Sequence, residues 1–498
     1  MASSDAEFVL VEQEGTSPLT CPRPSPYPPP YPSGENGRTS PVHLNEAQRQ
    51  DSNRSSLMGA LGVWRADSRA SPVILFSPDE VEVPMLMLED EETHEKSSSA
   101  AQALFNLLNI LLGVGTLSLP FTCRAAGWIV ALIIIVVFAI LTNYTAKLMK
   151  RIHAEYPGQI RSFADIGRVA FGRTGAIIFS SFLFLELFFV SALFIILMAD
   201  CLAVLDENES LSKFQWAVIA TLAVLPTAWL SDLSVISHLS IMGIFGIMYL
   251  IFAMVIEGAK EPPVKGIGGS WTRPQPVEAI KPIDGWPIAM GICVMGFSGH
   301  ACFPSIVHSM REPEKFYKTV DTAYLIAVLF YVLVGGTGYL MFGDAVAGEV
   351  TENLMQLNKT SLRLAIFLMV LCPFTKYSLT LNPVSHTVEH HWLHLDSIPV
   401  PEGWRRVLQI VLRSTLCVVT FVFAFSVPYF EKVVSLIGTF CAFPVCIAAP
   451  CLAFLALFKG DSGVSWMERA LLWLLSVGAV GLMVLGLWGT IKQDWEGD

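Results

Sequence analysis

From about residue 100 onward the chain alternates apolar runs of 17 to 32 residues with short polar loops. Eleven runs stand out, at 101–121, 127–149, 174–205, 214–230, 236–257, 285–308, 319–342, 361–381, 407–427, 432–457 and 466–489. About 20 apolar residues in a helix cross the hydrocarbon core of a bilayer, so the pattern predicts about 11 transmembrane helices and no strands. The third run is too long for a perpendicular crossing and must tilt or project from the membrane. Asp206 and Glu207 mark its aqueous end. The predicted organisation is a tail over 1–97, a transmembrane domain over 98–490 and a short C-terminal tail over 491–498.

Two of the runs are interrupted in matching ways. The first reads Leu104-Phe-Asn-Leu-Leu-Asn-Ile-Leu-Leu-Gly-Val-Gly-Thr-Leu-Ser-Leu-Pro120, and the sixth reads Met290-Gly-Ile-Cys-Val-Met-Gly-Phe-Ser-Gly-His-Ala-Cys-Phe-Pro304. Glycines in mid-span and a proline downstream disfavour a continuous helix. Unwound backbone inside a membrane persists only where protein or a polar cavity satisfies it. A pair of such breaks, five spans apart, points to two inverted repeats with a substrate site between them. The alternative is that the glycines serve close helix packing alone.

Half-helix ends offer carbonyls to an ammonium group and N–H groups to a carboxylate, which suits a zwitterionic amino acid. The candidate substrate residues are Asn106, Asn109, Gly113, Val114, Gly115 and Thr116 in the first break, with Phe297, Ser298 and Gly299 in the second. Asn106 and Asn109, three apart, are expected to face the bundle interior together, serving either the substrate or interhelical hydrogen bonds.

Three ionisable groups lie inside runs and are candidates for proton coupling. His300 sits in the second break and either exchanges a proton near neutral pH or caps loose carbonyls while neutral. Lys376, in the eighth run, either sets its ammonium near the first break in place of a sodium ion or snorkels to the interface. Glu186 in the third run is the other candidate, with a buried hydrogen-bonded carboxyl as its alternative role.

Composition and charge narrow the class further. Apolar residues make up 53% of the 498 and charged residues only 15%, against about 25% charged in soluble domains. The net charge of −11 sits mainly in the tail, where residues 1–99 hold 16 acidic against 7 basic side chains. Acidity therefore says little about the substrate, and no basic face or motif supports nucleic-acid binding. No phosphate-binding loop is present, so a gradient rather than a nucleotide must drive transport. Neither a nucleophile–base pair nor a metal-site spacing occurs, so no enzyme, cofactor or metal is expected. His386, His390, His391 and His394, with Glu389 among them, read as an amphipathic interfacial helix. Most of the ten cysteines lie in apolar runs as packing residues.

The tail is rich in Ser, Pro and acidic residues and is expected to be disordered. Its Pro28-Pro29-Pro30-Tyr31 segment fits the Pro-Pro-x-Tyr pattern read by WW domains, making a WW-bearing ubiquitin ligase a candidate partner, with a stiff spacer as the alternative. Basic loop residues Lys147, Lys150, Arg151, Arg161, Arg168, Arg173, Arg311, Lys315 and Lys318 share one side, which places that side and the N-terminus in the cytosol. The sequons at Asn208 and Asn358 fall on the other side.

The chain resembles the amino acid/auxin permease family, most closely its vacuolar amino-acid transporter branch. The likeness rests on Asn106-Leu-Leu-Asn-Ile-Leu-Leu-Gly-Val-Gly-Thr-Leu-Ser-Leu-Pro120, Ala126-Gly-Trp128, Ser162-Phe-Ala-Asp-Ile-Gly167, Gly296-Phe-Ser-Gly-His-Ala-Cys-Phe-Pro304, Tyr339-Leu-Met-Phe-Gly343 and Pro373-Phe-Thr-Lys-Tyr-Ser-Leu-Thr-Leu-Asn-Pro383, in collinear order. The resemblance implies an eleven-span inverted-repeat fold, amino-acid substrates and proton coupling, commonly as antiport into a vacuole or lysosome. A plasma-membrane symporter and an amino-acid sensor signalling through the tail remain alternatives. Expression in glycosylating cells tests the orientation: Asn208→Gln combined with Asn358→Gln is expected to abolish an endoglycosidase-sensitive mobility shift. A shift that survives both changes would contradict the assigned sidedness.

Overall fold

A computed structural model describes residues 98–206, 208, 210–230, 234–260, 270–355, 357, 360–389, 401–427, 429–460 and 463–495. The tail motif at Pro28, Pro29 and Tyr31, the sequon at Asn358, and His390, His391 and His394 lie outside these residues. Among the described residues the fold is helical, with a single isolated bridge between Ser98 and Met310.

The helices, in chain order, are α1 Ala100–Leu111, α2 Leu119–Ala126, α3 Trp128–Glu155, α4 Phe163–Leu205, α5 Lys213–Ala228, α6 Ser234–Gly258, α7 Trp286–Gly296, α8 Phe303–Ser309, α9 Phe316–Phe342, α10 Val350–Met355, α11 Thr360–Thr387, α12 Glu402–Ser426, α13 Phe430–Leu436, α14 Ala449–Leu457 and α15 Trp466–Trp495. Local sequence starts several of them. Ser99, Ser162 and Ser212 each form a capping box with the residue three positions on: Gln102, Asp165 and Gln215. Each box satisfies N–H groups that the first helical turn leaves free.

Among the described residues, eight helices are long and apolar enough to cross a bilayer, or nine if α1 and the bent segment Val114–Ala126, set at 45°, form one span. Shorter apolar helices, Lys213–Ala228 and Phe245–Gly258, occupy the fourth and fifth predicted runs. Helix therefore covers every predicted run, and eight or nine of these helices reach spanning length among the described residues. At 16 residues α5 is about 24 Å long, short of the hydrocarbon thickness, and Pro226 lies in its last turn.

The long third run, 174–205, is helical throughout. Helix begins earlier, at Phe163, and at Gly172 the backbone turns to φ 67° and ψ −153°, a conformation open essentially to glycine. The turn separates a short leading helix from the main span and leaves the run itself unbroken. Outward faces are apolar: Ile140, Leu222, Phe252, Leu325 and Leu474 are exposed, as side chains against lipid would be. The stretch between α13 and α14 is π-helical over Ile437–Ala442 and Pro444–Ala448, where Pro444 has no N–H to continue an α-helical ladder.

Glu389 departs from the expected interfacial helix. It is fully buried and receives hydrogen bonds from Arg413 Nε at 2.7 Å and Nη2 at 3.4 Å. Arg413 also donates to the carbonyls of Ala228 and Leu230, just past the end of α5. The pair gathers α5, α11 and α12, and burial of the carboxylate follows from the guanidinium that compensates it. Removing one partner leaves a buried charge, so Arg413→Met is expected to cost about 3–5 kcal/mol. Thermal unfolding in detergent should show a marked loss for the single variant and a partial recovery in Arg413→Met with Glu389→Leu.

Candidate functional site

The two sequence breaks are structural breaks, and they meet. After α1 the chain runs through Leu112 and Gly113 into a 3₁₀ turn at Val114–Ser118. After α7 it passes Phe297–Gly299 into a 3₁₀ turn at His300–Cys302. A β-carbon on Gly115 would lie 3.7 Å from the Gly296 α-carbon, so the two backbones approach with only ordinary contact distance between them. Pro120 and Pro304 occupy the first turns of α2 and α8, where a missing N–H costs nothing.

One side chain joins both interruptions. The Tyr331 hydroxyl, on α9, lies within hydrogen-bond reach of the Leu111 and Gly296 carbonyls, the last residues of α1 and α7. Helix C-termini leave carbonyls without helical partners, and here one phenol serves both, donating its single proton to one at a time. Phe297 is fully buried, its ring parallel to that of Tyr324 at 5.7 Å and tilted against Tyr331 at 4.8 Å. It therefore packs the break from behind. Nothing in the composition marks Tyr331; the available signal was a phenol within an apolar run, which must find a polar partner.

The predicted polar residues separate into distinct groups. Asn109 accepts a hydrogen bond from Lys376 Nζ at 3.0 Å, linking α11 to α1 two residues before its end. The contact sets the Lys376 ammonium beside the last turn of α1. Asn106 does not share the interior face: it is exposed, while Asn109 is half-buried. Three residues advance an α-helix by 300°, which leaves the two amides about 60° apart around the axis, and only Asn109 falls on the inner edge. Thr116 is buried, with its hydroxyl lacking a hydrogen-bond partner among the described residues.

Glu186, on α4, faces the second break. Ser298 donates a short hydrogen bond to one carboxyl oxygen, and the other oxygen is buried without a hydrogen-bond partner among the described residues. The Cys446 thiol, in the second π-helical segment, is 3.5 Å from the same Ser298 hydroxyl. His300 is fully buried, with Nε2 at 3.1 Å from the Thr142 carbonyl and 2.9 Å from the Thr145 hydroxyl. A ring carrying its proton on Nε2 donates to that carbonyl, while Nδ1 has no hydrogen-bond partner among the described residues. Three unpartnered buried groups, at Thr116, Glu186 and His300, thus belong to or touch the two breaks.

Elsewhere, Asn208 is exposed beyond the end of α4, and its sequon hydroxyl, Ser210, donates to Asp206 at 2.7 Å. That hydrogen bond, with those from nearby backbone N–H groups, holds the Asp206 carboxyl below the usual carboxylate range. On the side predicted as cytosolic, Lys147 pairs with Asp321 and Arg151 with Glu468.

A family model described as "Transmembrane amino acid transporter protein" matches residues 96–492. The chain is 36% identical to amino acid transporter AVT1D of Arabidopsis thaliana over 371 residues, which cover 73% of this chain and 64% of that protein. It is 35% identical to AVT1E over 393 residues, 76% of this chain and 70% of the relative, and 33% identical to AVT1B over 407 residues, 80% and 72% respectively, both also from Arabidopsis thaliana. The match thus spans just under two thirds of AVT1D. Tyr331→Phe leaves a buried carbonyl unsatisfied and is expected to cost about 1–3 kcal/mol. Thermal unfolding of the purified protein should register that loss, whereas Phe330→Leu, one residue away, should change stability less.

Proposed function

The chain belongs to the transmembrane amino acid transporter family, and on that premise we propose that it moves amino acids by proton-coupled antiport across a vacuolar or lysosomal membrane. The observation that carries this reading is the meeting of two helix breaks beneath one bridging hydroxyl. Carbonyls at the ends of α1 and α7 offer partial negative charge to a substrate ammonium. The turn beyond the first break, with the unpartnered Thr116 hydroxyl, suits the carboxylate of the same molecule. In this arrangement Tyr331 holds the two carbonyls until an ammonium group takes them over.

The breaks belong to the first and sixth of eleven spans, arranged as two inverted repeats of five with a final span at α15. No cofactor enters; the proton gradient supplies the work. Among the three ionisable candidates, Glu186 is placed best to exchange the coupling proton, since it touches Ser298 in the break and keeps one oxygen free. Lys376 stands where a mobile cation would otherwise neutralise the end of α1, with Asn109 as its anchor. His300 supports the second break through Thr142 and Thr145. The N-terminal tail faces the cytosol, and its Pro28-Pro29-Pro30-Tyr31 segment recruits a WW-domain ubiquitin ligase.

Full-length protein in vesicles with an imposed pH gradient tests the reading. Amino-acid uptake should rise with an acidic interior and collapse on adding a protonophore. Glu186→Gln should lower gradient-driven uptake by about tenfold or more while substrate binding persists, and Lys376→Ala should weaken both. Amino-acid binding without gradient-driven movement would sink the transport reading. Full pH dependence in Glu186→Gln, Lys376→Ala and His300→Ala alike would defeat the assignment of the proton.

A further inference from the structure

A second polar cluster lies away from the breaks, at the end of the helices that also carries Asn208. Asp200, in the last turns of α4, and Glu349 and Glu352, from the start of α10 and the residue before it, bring one carboxylate oxygen each to within 4.8 Å of one another. Asp200 and Glu349 are 2% and 1% exposed, a depth at which carboxylates are rare unless compensated. Glu349 uses one oxygen to accept from the Thr351 hydroxyl, while its other oxygen is buried with no hydrogen-bond partner among the described residues. Lys213 reaches Asp200 at 2.6 Å. The Glu431 carboxylate lies against Gly348, where an added β-carbon would come within 1.8 Å of it, and Lys432 follows it in sequence.

The Lys213 ammonium meets Asp200, whereas the second Glu349 oxygen, buried within the cluster, has no hydrogen-bond partner among the described residues. Buried polar atoms are ordinarily paired, and a cation held by the three carboxylates would supply that partner. The donors are hard carboxylate oxygens with a hydroxyl beside them, the set preferred by Ca²⁺ and Mg²⁺ over softer metals. Rigidity then discriminates between those two, because Ca²⁺ accepts about six to eight oxygens in flexible geometry whereas Mg²⁺ demands a near-ideal octahedron. Three carboxylates brought together from a helix end and a loop suit the more tolerant ion.

We propose that Asp200, Glu349 and Glu352 form a binding site for a divalent cation of the Ca²⁺ class. Its position gives it a mechanical consequence. The loop that leads into α10 is tied to the first break, because Ser118 donates to the Gly348 carbonyl at 2.7 Å and Arg124 donates to the Val346 carbonyl at 2.6 Å. An ion clamping Glu349 and Glu352 to Asp200 fixes this loop to α4 and, through Ser118, steadies the segment that follows the break. The site stands independently of which molecule the breaks carry.

The test uses purified full-length protein and Ca²⁺ itself, with Mg²⁺ and a chelator as comparisons. Radioactive Ca²⁺ binding should saturate at one ion per chain, and Ca²⁺ should raise the thermal unfolding temperature more than Mg²⁺ at equal concentration. Glu349→Gln should weaken Ca²⁺ binding by about tenfold or more. Glu352→Gln, at a less buried position and thus less prone to misfold, should weaken it in the same direction. Absence of saturable Ca²⁺ binding to the parent chain, or unchanged affinity in a folded Glu352→Gln and Glu349→Gln, overturns the proposal. Equal stabilisation by Mg²⁺ or by salt alone also overturns it. None of these measurements depends on amino-acid movement, so failure of the transport reading would be seen separately.

Discussion

The Tyr331 hydroxyl resolves the problem that a broken membrane helix creates. Ending α1 at Leu111 and α7 at Gly296 leaves carbonyls in a medium where water is scarce, and each unsatisfied group costs several kcal/mol. A phenol on a third helix reaches both ends at once. The hydrogen bond therefore does more than stabilise one terminus: it fixes the separation between the two breaks and makes them a single place. Phe297, stacked on Tyr324 and leaning on Tyr331, holds that arrangement by shape as well as by polarity.

Around this centre the charged and polar side chains are distributed by what each can satisfy. Lys376 donates to Asn109, Glu186 accepts from Ser298, and His300 serves Thr142 and Thr145. Each contact links one break to a different helix: α11, α4 and α3. A movement of either break must therefore exchange hydrogen bonds with a surrounding helix rather than merely slide past it. Buried side-chain hydrogen bonds in membranes are worth about 1 kcal/mol or less on average, small enough to be traded during a cycle.

The ends of the helices follow a harsher rule. Arg413 with Glu389 and Lys213 with Asp200 are buried or half-buried ion pairs in which desolvation is offset only by close, multiple contacts. At Arg413 every guanidinium nitrogen has an acceptor, since Nη1 also takes two backbone carbonyls. At Asp200 the Glu349 and Glu352 carboxylates converge on the same point. The first pair draws α5, α11 and α12 together, whereas the second lies beside a loop that touches the first break through Ser118.

Local chemistry was sufficient to reveal the helical nature of the apolar runs and the two interruptions, because apolar run length and glycine–proline placement act within a few turns. The serine-led capping boxes at Ser99, Ser162 and Ser212 belong to the same class of information. The depth and partners of polar groups did not. That Asn109 rather than Asn106 meets Lys376 depends on the rotation of α1 against α11. That Glu186 faces Ser298 depends on the packing of α4 beside α7. The role of Tyr331 depends on a helix more than 30 residues away in sequence from one carbonyl and 220 from the other. A sequence read along one dimension determines what each segment must bury and where it must break. Only the tertiary packing decides which distant side chain satisfies the groups left open, because that choice is set by helix rotation and approach, to which no local pattern is sensitive.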